Sequence, residues 1–230
     1  MKSQNRHELK YVLTPIQYVL LQGRLKWVMQ PDEHAGESGE YFIRSVYFDS
    51  PDRRALREKQ SGVHNRRKYR IRFYNGDASE CRLECKEKTG TRIAKRGQML
   101  TAQETDMLLA SLPGEIGRRD SLLRELQLCI ESEGFAPVVT VDYVREAYVL
   151  PLSDLRVTFD KEIAWGPVEG CLNHERYLSN TYIDRVVLEV KYNEYLPGHI
   201  SDILSSIGPI QTAVSKYVAC VESQYAARGY

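Results

Sequence analysis

Residues 66–75 read RRKYRIRFYN: Arg66, Lys68, Arg70 and Arg72 fall on even positions, while Tyr69, Ile71 and Phe73 fall on odd ones. Strict alternation predicts a β-strand with two unlike faces. A second run, ECRLECKEK at 80–88, alternates in the same way, with Arg82, Glu84, Lys86 and Lys88 on one face and Leu83 and Cys85 on the other. Guanidinium and ammonium groups in rows suit phosphate oxygens, which take charge-assisted and bidentate hydrogen bonds. The few carboxylates on comparable faces, Glu8, Glu84 and Glu189, are hard oxygen donors that suit a divalent cation shared with phosphates.

These cations are arranged rather than abundant. The 230-residue chain carries a net charge of +1, which argues against a surface that coats polyanions in general, nucleic acid included. With 42% hydrophobic and 27% charged residues the composition is that of a globular protein. No apolar run approaches the roughly 20 residues of a membrane span. The opening MKSQNRHELKYVL lacks the apolar core of a secretory signal, so the expectation is a cytoplasmic protein without direct membrane insertion. Cys81, Cys85, Cys129, Cys171 and Cys220 are odd in number and form no CxxC, as expected of reduced, packed thiols. The histidines have no HxxxH or HExxH spacing, GTRIAKRG lacks the spacing of a Walker loop, and no nucleophile–base pair stands out. Asp49 and Asp52 flank a proline turn and read as caps.

The positioning elements read as follows. RHELKYVL, 6–13, is a strand with Arg6, Glu8 and Lys10 on one face. Thr14 and Pro15 start a helix, in which Ile16, Val19, Leu20 and Trp27 form an apolar stripe reaching about Met29. A strand at 40–50 is followed by a short helical stretch to about Glu58. Asn75-Gly76 signals a hairpin between the two alternating runs. Keeping their charged faces together calls for a turn of three or five residues; one register pairs Arg72 with Glu80, the other Arg70 with Glu84. TRIAKRGQML is another strand, Thr101 caps a helix, and 119–132 is an amphipathic helix with Leu122, Leu126, Cys129 and Ile130 inward. Three more strands and two short helices, the last with Val214, Val218, Val221 and Tyr225 at helical spacing, complete the chain. About eight long strands with helices inserted give an α+β protein with a largely antiparallel sheet, and closure into a barrel would protect its edges.

Two arrangements compete. A sandwich would place the charged strand faces in solvent. A barrel with helices packed outside would turn the apolar faces outward and the charged faces inward. In the second, Arg6, Glu8 and Lys10, Arg66, Lys68, Arg70 and Arg72, Arg82, Glu84, Lys86 and Lys88, Arg145, Arg156, and Glu189 with Lys191 converge on one axis. Same-face neighbours on a strand lie about 7 Å apart, so each like-charge pair costs roughly 2 kcal/mol at an effective dielectric near 20. Counter-charge, water or a bound polyanion must offset that cost.

The ordered set RHELKY, SVYFDS, EKQSGVHNRRKYRIRFYN, LECKEK, AKR, VDYVREAY, LRVTFDKEI, VVLEVKYN and VSKYV resembles the polyphosphate polymerase (VTC-type) domain of the triphosphate tunnel metalloenzyme superfamily, to which CYTH proteins also belong. The likeness spans roughly residues 4–222 and makes the whole chain, 1–230, one such domain. It implies an eight-stranded antiparallel β-barrel, a tunnel with a basic interior and helices packed outside. It also implies residue roles. Lys10, Arg70, Arg72 and Lys86 grip phosphates, Lys59, Arg66 and Lys68 match further basic positions, and Lys95, Arg145 and Arg156 match cations on later strands. Lys191 accompanies Glu189, which matches the metal-binding glutamate, and Ser215 and Lys216 match a phosphate-contacting pair. The acid-rich ExExK opening of the superfamily is RHELK here; Arg6 replaces one candidate metal ligand, leaving Glu8 and, above all, Glu189 for Mn²⁺ or Mg²⁺.

The implied reaction moves the terminal phosphoryl group of a nucleoside triphosphate onto a polyphosphate chain, with positioning and electrostatics supplying the catalysis. Water as acceptor would make a tripolyphosphate or nucleoside triphosphate hydrolase instead, and a chain without turnover would be a polyphosphate-binding module. The sensing domain and membrane helices of the eukaryotic polymerases have no counterpart in the sequence, so coupling of synthesis to transport is unsupported by this polypeptide alone and would call for a separate membrane partner protein.

Overall fold

A computed structural model describes residues 7–36, 38–90, 92–112, 121–172, 179–182 and 184–229. Arg6 lies outside the described residues. The elements are β1 (His7–Leu13), α1 (Pro15–Leu25), β2 (Gln30–Pro31), β3 (Glu40–Asp49), α2 (Arg54–Gln60), β4 (Arg66–Tyr74), β5 (Asp77–Thr89) and β6 (Arg92–Met99). They continue with α3 (Ala102–Leu109), α4 (Leu122–Glu133), β7 (Ala136–Val149), β8 (Arg156–Gly166), β9 (Ser179–Asn180), β10 (Val186–Tyr192), α5 (Gly198–Ser205) and α6 (Lys216–Arg228). Eight strands follow the order β1-β10-β8-β7-β3-β4-β5-β6, with the two-residue β2 and β9 pairing with β7 and β8. The ladders β1–β10, β10–β8, β3–β4, β4–β5 and β5–β6 are antiparallel.

The chain divides into two compact units: Met1–Phe42, Tyr143–Ile163 and Tyr182–Ser215 form the first, and Ile43–Asp142, Ala164–Thr181 and Lys216–Tyr230 the second. In the second unit Tyr69, Ile71 and Phe73 of β4 and Leu83 and Cys85 of β5 pack with Leu108 of α3 and Leu122, Leu123, Leu126 and Ile130 of α4. In the first, Leu13, Leu188, Val190, Val157 and Phe159 pack with Leu21 and Leu25 of α1 and Ile200 and Leu204 of α5. In each unit, then, the helices cover the apolar strand face, which leaves the charged residues on the other face. On that face Arg72 is 6% and Glu84 3% exposed, so these two are not splayed into solvent as a sandwich would have them, whereas Arg82, Lys86 and Lys95 are exposed.

Helix starts follow local chemistry. Thr14 caps α1 and Thr101 caps α3, each in a reciprocal capping box with Gln17 and Glu104. Asp49 acts as a cap, accepting the amides of Ala55 and Leu56 at the start of α2.

Three local expectations are corrected. The β4–β5 turn is the two residues Asn75 and Gly76, both at positive φ (51° and 74°), between the pair Tyr74–Asp77. An irregularity between Arg72 and Tyr74 then restores the parity, so Arg70 faces Glu84 and the charged faces coincide. On α1 the stripe turns outward: Ile16 is 72% and Trp27 90% exposed, Val19 and Leu20 are exposed too, and the helix ends at Leu25. The opposite face is anchored, because Tyr18 donates to Glu146 (2.6 Å), Gln22 to the same carboxylate (2.8 Å) and Gln17 to the Ile207 carbonyl (3.1 Å). On α6 the buried face is Tyr217, Cys220, Val221 and Gln224, with Val218 and Tyr225 at its margins.

Candidate functional site

In the second unit, the antiparallel registers set Lys68 opposite Lys86 and Lys86 opposite Lys95, a row of lysines across β4, β5 and β6. Like charges directly opposite one another destabilise a sheet, so this row has to work against a counter-charge. The next row is Arg70, Glu84 and Gly97. The buried Glu84 carboxylate accepts from Arg70 Nε at 2.7 Å, lies 2.6 Å from Lys95 Nζ, and has Arg72 NH1 at 3.7 Å. Burial alone would raise this carboxyl's pKa; the charges of Arg70, Arg72 and Lys95 more than reverse that and hold it well below the usual carboxylate range. The Lys95 ammonium is pushed down to about 8 by burial and by the two arginines, against the pull of Glu84. Both Glu84 oxygens are thus engaged in ion pairs with cations of β4 and β6.

Tyr47 of β3 completes this group. Its hydroxyl accepts from Arg70 NH1 at 2.9 Å, and Lys68 Nζ stands 5.3 Å from its ring centroid and 5.4 Å from that of Tyr217 on α6. Lys86 is exposed. Lys59 lies half-buried on α2, and Arg66, at the start of β4, donates to the Val63 carbonyl. Lys216 opens α6 and is half-buried.

The first unit holds another cluster. Lys10 of β1 faces Glu189 of β10, and Glu8 faces Lys191. Lys10 Nζ is 3.3 Å from Glu8 Oε1 and 3.2 Å from Glu189 Oε1, while Lys191 Nζ is 2.7 Å from Glu189 Oε2. Burial lowers the pKa of Lys191, helped by the charge of Arg145 and opposed by Glu189. Glu8 and Lys10 border a cavity of about 340 Å³ with Gln211, Thr212 and Ala213. Arg145 binds Asp160 with two parallel hydrogen bonds, and Arg156 reaches Asp32 (3.0 Å) and the Tyr41 hydroxyl (2.9 Å). Ser215, half-buried, ends this unit just before α6.

Among the described residues no three His, Cys, Asp or Glu side chains gather as a complete metal cage. Glu8 and Glu189, brought to one ammonium by the β1–β10 register, are two hard oxygen donors. That set fits Mg²⁺ or Mn²⁺, which bind through one or two carboxylates and complete their shell with phosphate and water.

Sequence reading missed Asp160, Asp32 and Tyr47. Asp160 alternates with Arg156 and Thr158 along β8, and Tyr47 with Ser45 along β3, so each carried a positional signal. Asp32 follows β2 directly and carried none.

Among curated proteins no relative matches the chain. Solved structures do. A protein from Bacillus halodurans described as an adenylate cyclase candidate superposes with a TM-score of 0.55 at 18% identity, over 94% of this chain and 96% of its own. A Hippeastrum protein described as an adenylyl cyclase candidate with a dominant triphosphatase activity gives 0.56 at 14% identity, over 94% and 96%. A Vibrio parahaemolyticus protein, also described as an adenylate cyclase candidate, gives 0.50 at 10%, over 95% and 98%. At these identities the likeness carries the fold alone: α+β, an eight-stranded antiparallel sheet with helices on its apolar face. The VTC domain model matches residues 5–225, nearly the full length, and the chain belongs to the VTC domain family.

Proposed function

We propose that residues 1–230 form one metal-dependent polyphosphate polymerase domain. It transfers the terminal phosphoryl group of a nucleoside triphosphate to the end of a polyphosphate chain. The observation that carries this reading is the lysine row Lys68, Lys86 and Lys95 beside Arg70 and Arg72, on the face that α3 and α4 leave uncovered. Glu84 meets Arg70, Arg72 and Lys95 there, and guanidinium and ammonium groups gathered in adjacent rows suit the oxygens of a polyanion.

In the transfer, a terminal phosphate oxygen of the chain attacks the γ-phosphorus in line. The bond from that phosphorus to the β-phosphate oxygen breaks, and a nucleoside diphosphate leaves. Arg70, Arg72, Lys86 and Lys95 hold phosphate oxygens and stabilise the charge they develop, with Lys59, Arg66, Lys68, Ser215 and Lys216 extending the grip on the chain. In the first unit Lys10 and Lys191 hold the Glu189 carboxylate, and Arg145 and Arg156, paired with Asp160 and Asp32, are further cations. Mg²⁺ or Mn²⁺, held by Glu189 with Glu8, would neutralise phosphate charge when bound. No covalent enzyme intermediate is required, in keeping with the absence of a nucleophile–base pair in the sequence.

The test is purified protein with ATP and Mn²⁺. Synthesis gives a phosphatase-sensitive polymer, which Arg72→Ala or Glu189→Gln abolishes. The triphosphatase activity named for the Hippeastrum structure favours a second reading, water as acceptor, which releases orthophosphate without chain growth. Tight binding of tripolyphosphate with no turnover under either metal would mark a binding module and reject both enzymatic readings.

A further inference from the structure

We propose that Glu84 is a positioning residue that fixes the geometry of Arg70, Arg72 and Lys95 for phosphoryl transfer. The inference rests on the phosphate-binding reading above. Glu84 sits mid-strand in β5, 3% exposed, where side chains from β4 and β6 reach a single carboxylate. Oε2 lies 2.7 Å from Arg70 Nε, 2.6 Å from Arg70 NH2 and 3.7 Å from Arg72 NH1, and Oε1 lies 2.6 Å from Lys95 Nζ. Arg70 is held from a second side by the Tyr47 hydroxyl at 2.9 Å, so its guanidinium plane is set by contacts on β5 and β3 together.

The charge balance separates this role from plain neutralisation. A pair retained for stability needs one cation for its anion, whereas three cations from two strands converge on the Glu84 carboxylate. The Glu84 carboxylate is 4% exposed while the Lys95 side chain it holds is 53% exposed, so a buried anion anchors a side chain that reaches the surface. Groups ordered before substrate arrives need no reorganisation during the reaction, and displacements of about 1 Å in such groups can cost about a hundredfold in rate.

Glu84→Gln keeps the shape and removes the charge. Steady-state rates are read as total triphosphate consumed, so transfer and hydrolysis count alike. In the variant kcat falls by about tenfold or more while KM stays within about threefold, because attraction for the anion survives and the ordering does not. The pH profile gives a second readout. Lys95 is faced by Glu84 and Lys86 from β5 and by Arg70 and Arg72 from β4. Without the Glu84 charge its ammonium loses its proton more readily, and the basic limb of the rate profile moves about one unit or more towards acid.

A folded Glu84→Gln protein with wild-type kcat overturns the assignment. So does a fall in kcat with the basic limb unmoved, which is what general damage produces. Should the Gln variant not fold, Glu84→Asp keeps the charge on a stem one methylene shorter. Its kcat falls with the limb at the wild-type position, and an unchanged kcat overturns the assignment. A wild-type protein that neither consumes triphosphate nor binds tripolyphosphate fails before any variant is made, and takes the phosphate reading and this inference down together.

Discussion

Arg145 of β7 and Asp160 of β8 are joined by two parallel hydrogen bonds, Nε to Oδ1 at 2.6 Å and NH2 to Oδ2 at 2.8 Å. Asp160 is 0% and Arg145 8% exposed, so the pair is a buried fork rather than a surface contact. Removing one partner of such a pair strands the other charge, a loss of about 3–5 kcal/mol. Asp160→Ala is therefore expected to lower the unfolding free energy by that amount in urea titrations. A loss below about 1 kcal/mol would show the pair to be as weak as an exposed one.

Glu84 sets an acid limit to stability. Its carboxyl is held well below the usual range by Arg70, Arg72 and Lys95. The unfolded chain therefore takes up a proton first as pH falls. The stability contributed is complete above the unfolded value near 4.5 and is lost progressively at lower pH. Glu125, beside Arg96, and Glu146, bonded to Tyr148 and Tyr18, are lowered as well and add in the same direction. Unfolding free energy plotted against pH should bend downward below about pH 4.5, with a shallower slope in Glu84→Gln; equal slopes would remove Glu84 from the effect.

The two faces of α1 should respond in opposite ways. Leu21 is fully buried and belongs to the cluster with Leu13 and Phe159, whereas Val19 is 61% exposed. Leu21→Ala is expected to cost about 2–5 kcal/mol. Val19→Ala should stay within about 0.5 kcal/mol. Equal losses in thermal or urea unfolding would restore the inward stripe that the sequence suggested.

That contrast shows what local sequence can carry. The alternation of β4 was legible because Tyr69, Ile71 and Phe73 are apolar on one parity only, and the helices that cover them declared themselves through Thr101 and the leucines of α4. Helix α1 is apolar nearly all round, so its sequence offers two candidate faces; Glu146, far away on β7, chooses between them by taking Tyr18 and Gln22. The hairpin parity was unreadable for a similar reason, since the irregularity after Arg72 leaves no signature in residue type. At the site, alternation exposed Arg70, Arg72 and Lys86. The bond from Arg145 to Asp160, by contrast, depends on how β7 and β8 come together, which neither strand states alone.

Glu189 offers the final test, because it stands between two ammonium groups. Lys10 Nζ lies 3.2 Å from one carboxylate oxygen and Lys191 Nζ 2.7 Å from the other. A divalent cation approaching Glu189 meets both positive charges and competes for the oxygens they hold. Lys191→Met keeps a chain of similar length without the charge, so it should tighten Mn²⁺ binding in the absence of nucleotide by about tenfold, a modest share of the repulsion expected at this range. Glu189→Gln should weaken binding by at least about tenfold, since a neutral amide oxygen replaces the carboxylate. The fraction of free Mn²⁺, read from its electron paramagnetic resonance signal, measures both. Wild-type affinity in Glu189→Gln would move the metal away from this carboxylate, and with it the role assigned to Glu8.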